Sequence, residues 1–186
     1  MTEEGRLPAR IAMTDAGRGI DPFAQLQSLA PGDAIILRHY EWEARGRREL
    51  AERLRKASRA ARVRLLIAGG GRLAVAVGAD GIHLPGWQLR QGYVWRERPA
   101  NWLVTAAAHN RPELVRAERA GADACLLSPV FATGSHPGAK SLGPVRFAAL
   151  VHGTGLPVYA LGGVNERTCR RLKGTGLTGW AAVSGL

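Results

Sequence analysis

Short apolar runs recur along the whole chain, and most of them break into a loop at Gly, Ser, Thr or His. Eight of these runs read as strands, at residues 10–14, 34–39, 64–68, 81–84, 102–107, 124–129, 158–161 and 180–184. Stretches of helical spacing lie between them. Asp21-Pro22 opens one, with the proline at a first helical position, and a long one covers 41–61. Others cover 71–77, 143–151 and 166–173, and the segment from Arg111-Pro112 to Gly121 carries the start and stop residues expected of a helix. Strands alternating with helices predict parallel βα units, and eight of them in 186 residues predict one compact (β/α)8 TIM barrel spanning residues 1–186. A doubly wound open sheet is the alternative. The sequence stops just after the eighth strand, so the final helix is expected to be missing. A neighbouring subunit, making a homo-oligomer, or the N-terminal segment is expected to cover the seam between the last strand and the first.

In a parallel barrel the chemistry sits at the C-terminal strand ends, which here offer few reactive side chains. Arg38 is the prime anion ligand, because a charge inside an apolar strand must face a partner or solvent. His39 points to the opposite side of that strand and reads as structural, as does His83 on the fourth strand. His109 faces the mouth after the fifth strand. Thr133, Ser135 and His136 follow the sixth, with His136 either a phosphate contact or an exposed loop residue. Gly162-Gly163 and Ser184 end the last two strands and expose backbone N–H groups to an anion. Arg38, His109 and His136 are the candidates for a catalytic role. Asp15 reads as a loop-fixing cap, and Trp87 alone among five tryptophans is placed to wall a heterocycle.

Composition narrows the setting. The residues are 46% hydrophobic and 22% charged, as in an ordinary globular protein, and no apolar run is long enough to span a bilayer. Two cysteines on different elements form no disulfide framework, which with the absence of a signal core predicts a cytoplasmic protein. The formal charge of +11 is mostly arginine, densest between Arg45 and Arg64, where Leu50 and Leu54 share one helix face. That is a solvated amphipathic face. It lacks the interleaved aromatics of a nucleic-acid surface, so nucleic acid is not an expected partner, whereas phosphorylated small molecules are.

Five segments in order carry a family resemblance: Gly78-Ala79-Asp80-Gly81-Ile82-His83-Leu84, Gly121-Ala122-Asp123-Ala124, Ser128-Pro129-Val130-Phe131-Ala132-Thr133, Pro157-Val158-Tyr159-Ala160-Leu161-Gly162-Gly163-Val164 and Ala181-Ala182-Val183-Ser184-Gly185-Leu186. Together they resemble the thiamine phosphate synthase/TenI superfamily of thiamine biosynthesis, from about Ile11 onward. The resemblance implies a TIM barrel transferase that joins a pyrimidine pyrophosphate, held by Mg²⁺, to a thiazole phosphate. It also implies phosphate contacts at Thr133, Ser135, Gly162, Gly163, Val183 and Ser184, with His136 in the place of a loop lysine and Lys140 nearby as a substitute.

The other half of the implied site is altered. The second strand presents Ile36, Arg38 and Tyr40 where the family has Gln, Arg and Lys. The Asn-Asp pair after the third strand reads Ala68-Gly69, and a metal-binding aspartate reads Gln88. The usual Mg²⁺ ligands are therefore absent, since that ion wants carboxylate oxygens. The pattern resembles the TenI branch, although Pro129 stands where its thiazole tautomerases carry a histidine. The expected ligand is a phosphorylated thiazole or thiamine phosphate. The alternative is a catalytically silent ligand-binding or accessory barrel of the same pathway.

Overall fold

The computed structural model describes residues 7–92, 98–134 and 140–185, and in it eight parallel strands close into a barrel in sequence order. The strands are β1 (Arg10–Met13), β2 (Ala34–Leu37), β3 (Arg64–Ala68), β4 (Gly81–Leu84), β5 (Leu103–Ala108), β6 (Ala124–Leu127), β7 (Val158–Ala160) and β8 (Gly179–Ala182). β8 pairs with β1, Ala181 opposite Ile11, so the sheet is closed and the open doubly wound arrangement is excluded. The helices are α1 (Pro22–Gln27), α2 (Ala44–Ala60), α3 (Gly71–Ala76), α4 (Gly86–Arg90), α5 (Arg111–Arg119), α6 (Gly143–His152) and α7 (Glu166–Cys169).

Differences from the sequence reading are small and have local causes. β2 ends at Leu37 because His39 adopts a left-handed backbone, φ 40°. β6 ends at Leu127 because Pro129 has no N–H to extend the ladder. The short α4, which carries Trp87 and Gln88, lacks a periodic pattern and was not expected. The segment 166–173 divides into α7 and a 3-10 turn, Arg170–Leu172.

Strand alternation sorts the core into two shells. Ile11, Met13, Ile36, Leu66, Leu126 and Tyr159 pack together inside the barrel. Ile35, Leu37, Ile67, Val104, Leu127 and Val158 point out into a cluster shared with helix residues such as Leu54, Leu114 and Phe147.

Three aspartates tie the N-terminal end of the barrel together. Asp33, Asp80 and Asp123 each stand just before an even-numbered strand and accept a backbone N–H from the strand before it. The donors are Arg10, Leu65 and Val104, at 3.0, 2.8 and 2.7 Å. Each carboxylate also receives a guanidinium, from Arg10, Arg55 and Arg98 respectively, at 2.8, 2.5 and 2.7 Å. The Gly-Ala-Asp segments singled out in the sequence are thus structural.

At the β8–β1 seam the outward residues Ala12, Trp180 and Ala182 are buried within the chain, in the same cluster as Leu26 of α1. The buried Gln25 side chain of α1 donates to both Val183 O (2.7 Å) and Met13 O (3.3 Å), bridging the two strand ends.

Candidate functional site

The C-terminal strand ends surround a cleft of about 670 Å³. Of the residues expected in a site, Arg38, His109, Thr133 and Lys140 line it. So do Gly162, Gly163, Val183 and Ser184. Ser135 and His136 lie outside the described residues. Arg18 and Asn165 also reach the cleft and were missed by the sequence reading. Asn165 had a usable signal, because Asn before a helical segment is a cap.

The β7 end is shaped by its glycines. Gly162 and Gly163 have φ of 86° and 66°, the left-handed region that side chains disfavour. A Cβ on Gly162 would stand 2.9 Å from Pro129 Cα, and one on Gly163 2.5 Å from the Ala132 carbonyl oxygen. This close approach lets the β6 and β7 loops run side by side: Val130 N–H donates to Leu161 O and Phe131 N–H to Gly162 O, both at 2.9 Å. A capping box in which Asn165 Oδ1 accepts from Thr168 N–H (2.9 Å) fixes the start of α7. Thr168 Oγ1 donates to Gly163 O at 3.1 Å, which orients that peptide. Among the described residues, the Gly163 and Ser184 N–H groups donate to no protein acceptor. The described lining holds Arg18, Arg38 and Lys140 and no Asp or Glu, a composition that attracts anions.

Arg38 lies one residue beyond β2. Its Nη1 is 3.7 Å from Asp15 Oδ2 and 3.6 Å from Met13 Sδ. Asp15 caps the adjoining 3-10 turn, Ala16–Arg18, by accepting from Gly17 N–H at 3.1 Å. His39 turns away from the mouth. Its Nδ1 lies 3.0 Å from Thr14 Oγ1, its ring meets Trp42 edge-on, and burial lowers its pKa. His83 sits inside the barrel with Nδ1 3.0 Å from Thr105 Oγ1. Burial first, and the Arg38 charge second, lower its pKa to about 3, so it is a neutral structural group near pH 7. His109 is exposed at the rim, with Nδ1 2.8 Å from the Ser128 carbonyl oxygen and its backbone N–H on Glu113 Oε2 at 2.8 Å.

The ends of β3 and β4 carry a different set of groups. Gln88 Nε2 donates to Gly69 O at 3.3 Å, and its buried Oε1 has no partner among the described residues. One amide oxygen and a glycine do not make a Mg²⁺ site, which calls for carboxylate oxygens in octahedral array. Among the described residues no group of three His, Cys, Asp or Glu side chains comes together. No helix of the described residues is long and apolar enough to cross a membrane.

The family model described as thiamine monophosphate synthase matches residues 13–186. A protein of Aquifex aeolicus, assigned provisionally as thiamine-phosphate synthase 2, is 33% identical over 96% of this chain and 97% of its own length. The thiamine-phosphate synthase of Chloroflexus aurantiacus is 32% identical over 92% of this chain and 82% of its own. Among solved structures, the thiamine phosphate pyrophosphorylase of Pyrococcus furiosus superposes with a TM-score of 0.74 at 25% identity, covering 97% of this chain and 87% of that one.

Proposed function

The chain belongs to the thiamine monophosphate synthase family, and on that premise we propose that its cleft binds thiazole phosphate or thiamine phosphate. One observation carries the reading. The Gly163 and Ser184 N–H groups, without protein acceptors among the described residues, border the same cleft as Arg38, Lys140 and Thr133. Free backbone donors ringed by cations suit a phosphate monoester. The apolar Leu161, Val164 and Val183 beside them suit a heterocycle. His109 lines the same cleft, and with its Nδ1 committed to the Ser128 carbonyl its Nε2 is left to exchange a proton with a bound ester. The setting is the cytoplasm, in line with two free cysteines, Cys125 and Cys169.

Isothermal titration with thiamine phosphate, thiazole phosphate and unphosphorylated thiamine tests the reading. Both esters bind and thiamine does not, and Arg38→Met weakens the esters roughly 10- to 100-fold, as expected for loss of a charge-assisted contact. Failure of both esters to bind overturns it. The second reading, a barrel that binds without turnover, is favoured by Gly69 and Gln88, which supply no carboxylate for Mg²⁺. Mg²⁺-dependent formation of thiamine phosphate from the two precursors would dismiss it.

A further inference from the structure

The cleft takes up one side of the mouth only: it is lined from the ends of β5 to β8 and from β1 and β2, and its lining stops at Arg38. The ends of β3 and β4 are covered by the chain itself. Beyond β2 the left-handed backbone of His39 turns the chain, and Tyr40 comes to rest on Gly69 at the end of β3. A Cβ on Gly69 would stand 3.1 Å from Tyr40 Cε1 and 3.3 Å from Trp87 Cζ2, so both rings lie against that glycine. Two guanidiniums hold the Tyr40 ring, with Cζ of Arg47 at 5.4 Å and of Arg38 at 6.0 Å from its centroid. Arg47 Nη2 also donates to Ala68 O at 2.5 Å, while Gln88 takes the Gly69 carbonyl. Gly69 N–H is spent on His83 O at 3.0 Å. The Ala68 and Gly69 backbone groups at this strand end are therefore bonded within the protein, and two rings lie over Gly69. Both residues keep part of their surface in solvent, 39% for Tyr40 and 44% for Trp87.

We infer that Tyr40, backed by Trp87, is a built-in occupant of the β3–β4 side of the mouth, which limits the cleft to one phosphate monoester at a time and excludes a second, pyrophosphate-bearing substrate. The inference rests on the proposed ligand class and adds its stoichiometry. Tyr40 is a specificity determinant because its ring lies within 6.0 Å of both the Arg38 and Arg47 guanidiniums and against Gly69, so a diphosphate approaching these cations from the β3 side meets the ring first.

Titration of inorganic pyrophosphate with MgCl₂, into protein with and without saturating thiamine phosphate, tests this directly. The wild type and Tyr40→Phe, which keeps the ring, take up one thiamine phosphate and no pyrophosphate beside it. Tyr40→Gly binds pyrophosphate at least tenfold more tightly than the wild type and does so with thiamine phosphate in place. Trp87→Ala gives a gain in the same direction and serves as the second variant if Tyr40→Gly fails to fold. Pyrophosphate binding to the thiamine phosphate-loaded wild type overturns the inference. So does the absence of any gain in folded Tyr40→Gly or, in its place, folded Trp87→Ala. If no form binds thiamine phosphate, the proposed ligand class is wrong, and the comparison of pyrophosphate affinities between unloaded wild type and variant still decides the role of Tyr40.

Discussion

His109 Nδ1 stands 2.8 Å from the carbonyl oxygen of Ser128, and because a carbonyl can only accept, Nδ1 carries the hydrogen. The neutral ring therefore presents Nε2 as its basic nitrogen. His109→Asn puts an amide N–H in the place of Nδ1 and removes Nε2, so it separates anchoring from proton transfer. We expect ester affinity to stay within about threefold of wild type while any proton-transfer turnover on a thiazole phosphate falls by roughly 10²- to 10⁴-fold. Paired titration and rate measurements check this. An unchanged rate would remove His109 from the chemistry.

Gly163 and Gly143 both have positive φ, 66° and 67°, but their surroundings differ. A Cβ meets the Ala132 carbonyl at 2.5 Å in the first case and nothing within 4 Å in the second. Gly143→Ala should cost roughly 1 kcal/mol, the backbone term alone, and Gly163→Ala about 3 kcal/mol or more. Chemical denaturation measures both. Gly163→Ala should also weaken ester binding, because the β6 and β7 loops must move apart.

His83 makes stability fall in acid. The unfolded chain takes up its proton near the ordinary imidazole value, about 6.5, whereas the folded chain refuses it until about pH 3. The stabilisation is complete above the unfolded value and is lost as pH falls from about 6.5 toward about 3, reaching on the order of 2 kcal/mol by about pH 5. His39, lowered by burial, adds in the same direction. His83→Asn keeps a donor opposite Thr105 but does not titrate, so denaturation midpoints followed from about pH 7.5 to about pH 5 should show a shallower slope for the variant. Equal slopes would contradict the assignment.

Asp80 holds Arg55 Nη1 at 2.5 Å and Leu65 N–H at 2.8 Å, with Arg55 mostly buried. Asp80→Ala leaves both donors unmatched and should cost about 2–4 kcal/mol. Glu49→Ala, which breaks the exposed Arg45–Glu49 pair, should cost well under about 1 kcal/mol. Thermal unfolding of the two variants gives the comparison.

The barrel was legible because alternation of apolar strands and capped helices is a property of the sequence itself. Pro112 at the start of α5 and Gly121 just past its end illustrate this, and the strand limits fell within two residues of those read from the pattern. The places of His109, Thr133, Gly162, Gly163 and Ser184 at the cleft were legible too, since they follow strand ends, where Gly-Gly and Ser announce backbone donors. What escaped was whatever depends on contacts between distant segments. Nothing in the spacing of Tyr40, Gly69 and Trp87 says that the three meet, and α4 is too short to show a period. Arg18 reaches the cleft from a turn that Asp15 organises, and an arginine in so basic a chain gave no reason to be singled out.

The three aspartate ties have one further consequence. They fasten β1 to β2, β3 to β4 and β5 to β6 at the end of the barrel remote from the cleft. The fold is thus riveted at its floor, and its rim is free to be rewritten. A ring can be laid across the rim in place of a second substrate, as Tyr40 is, without loosening a single rivet.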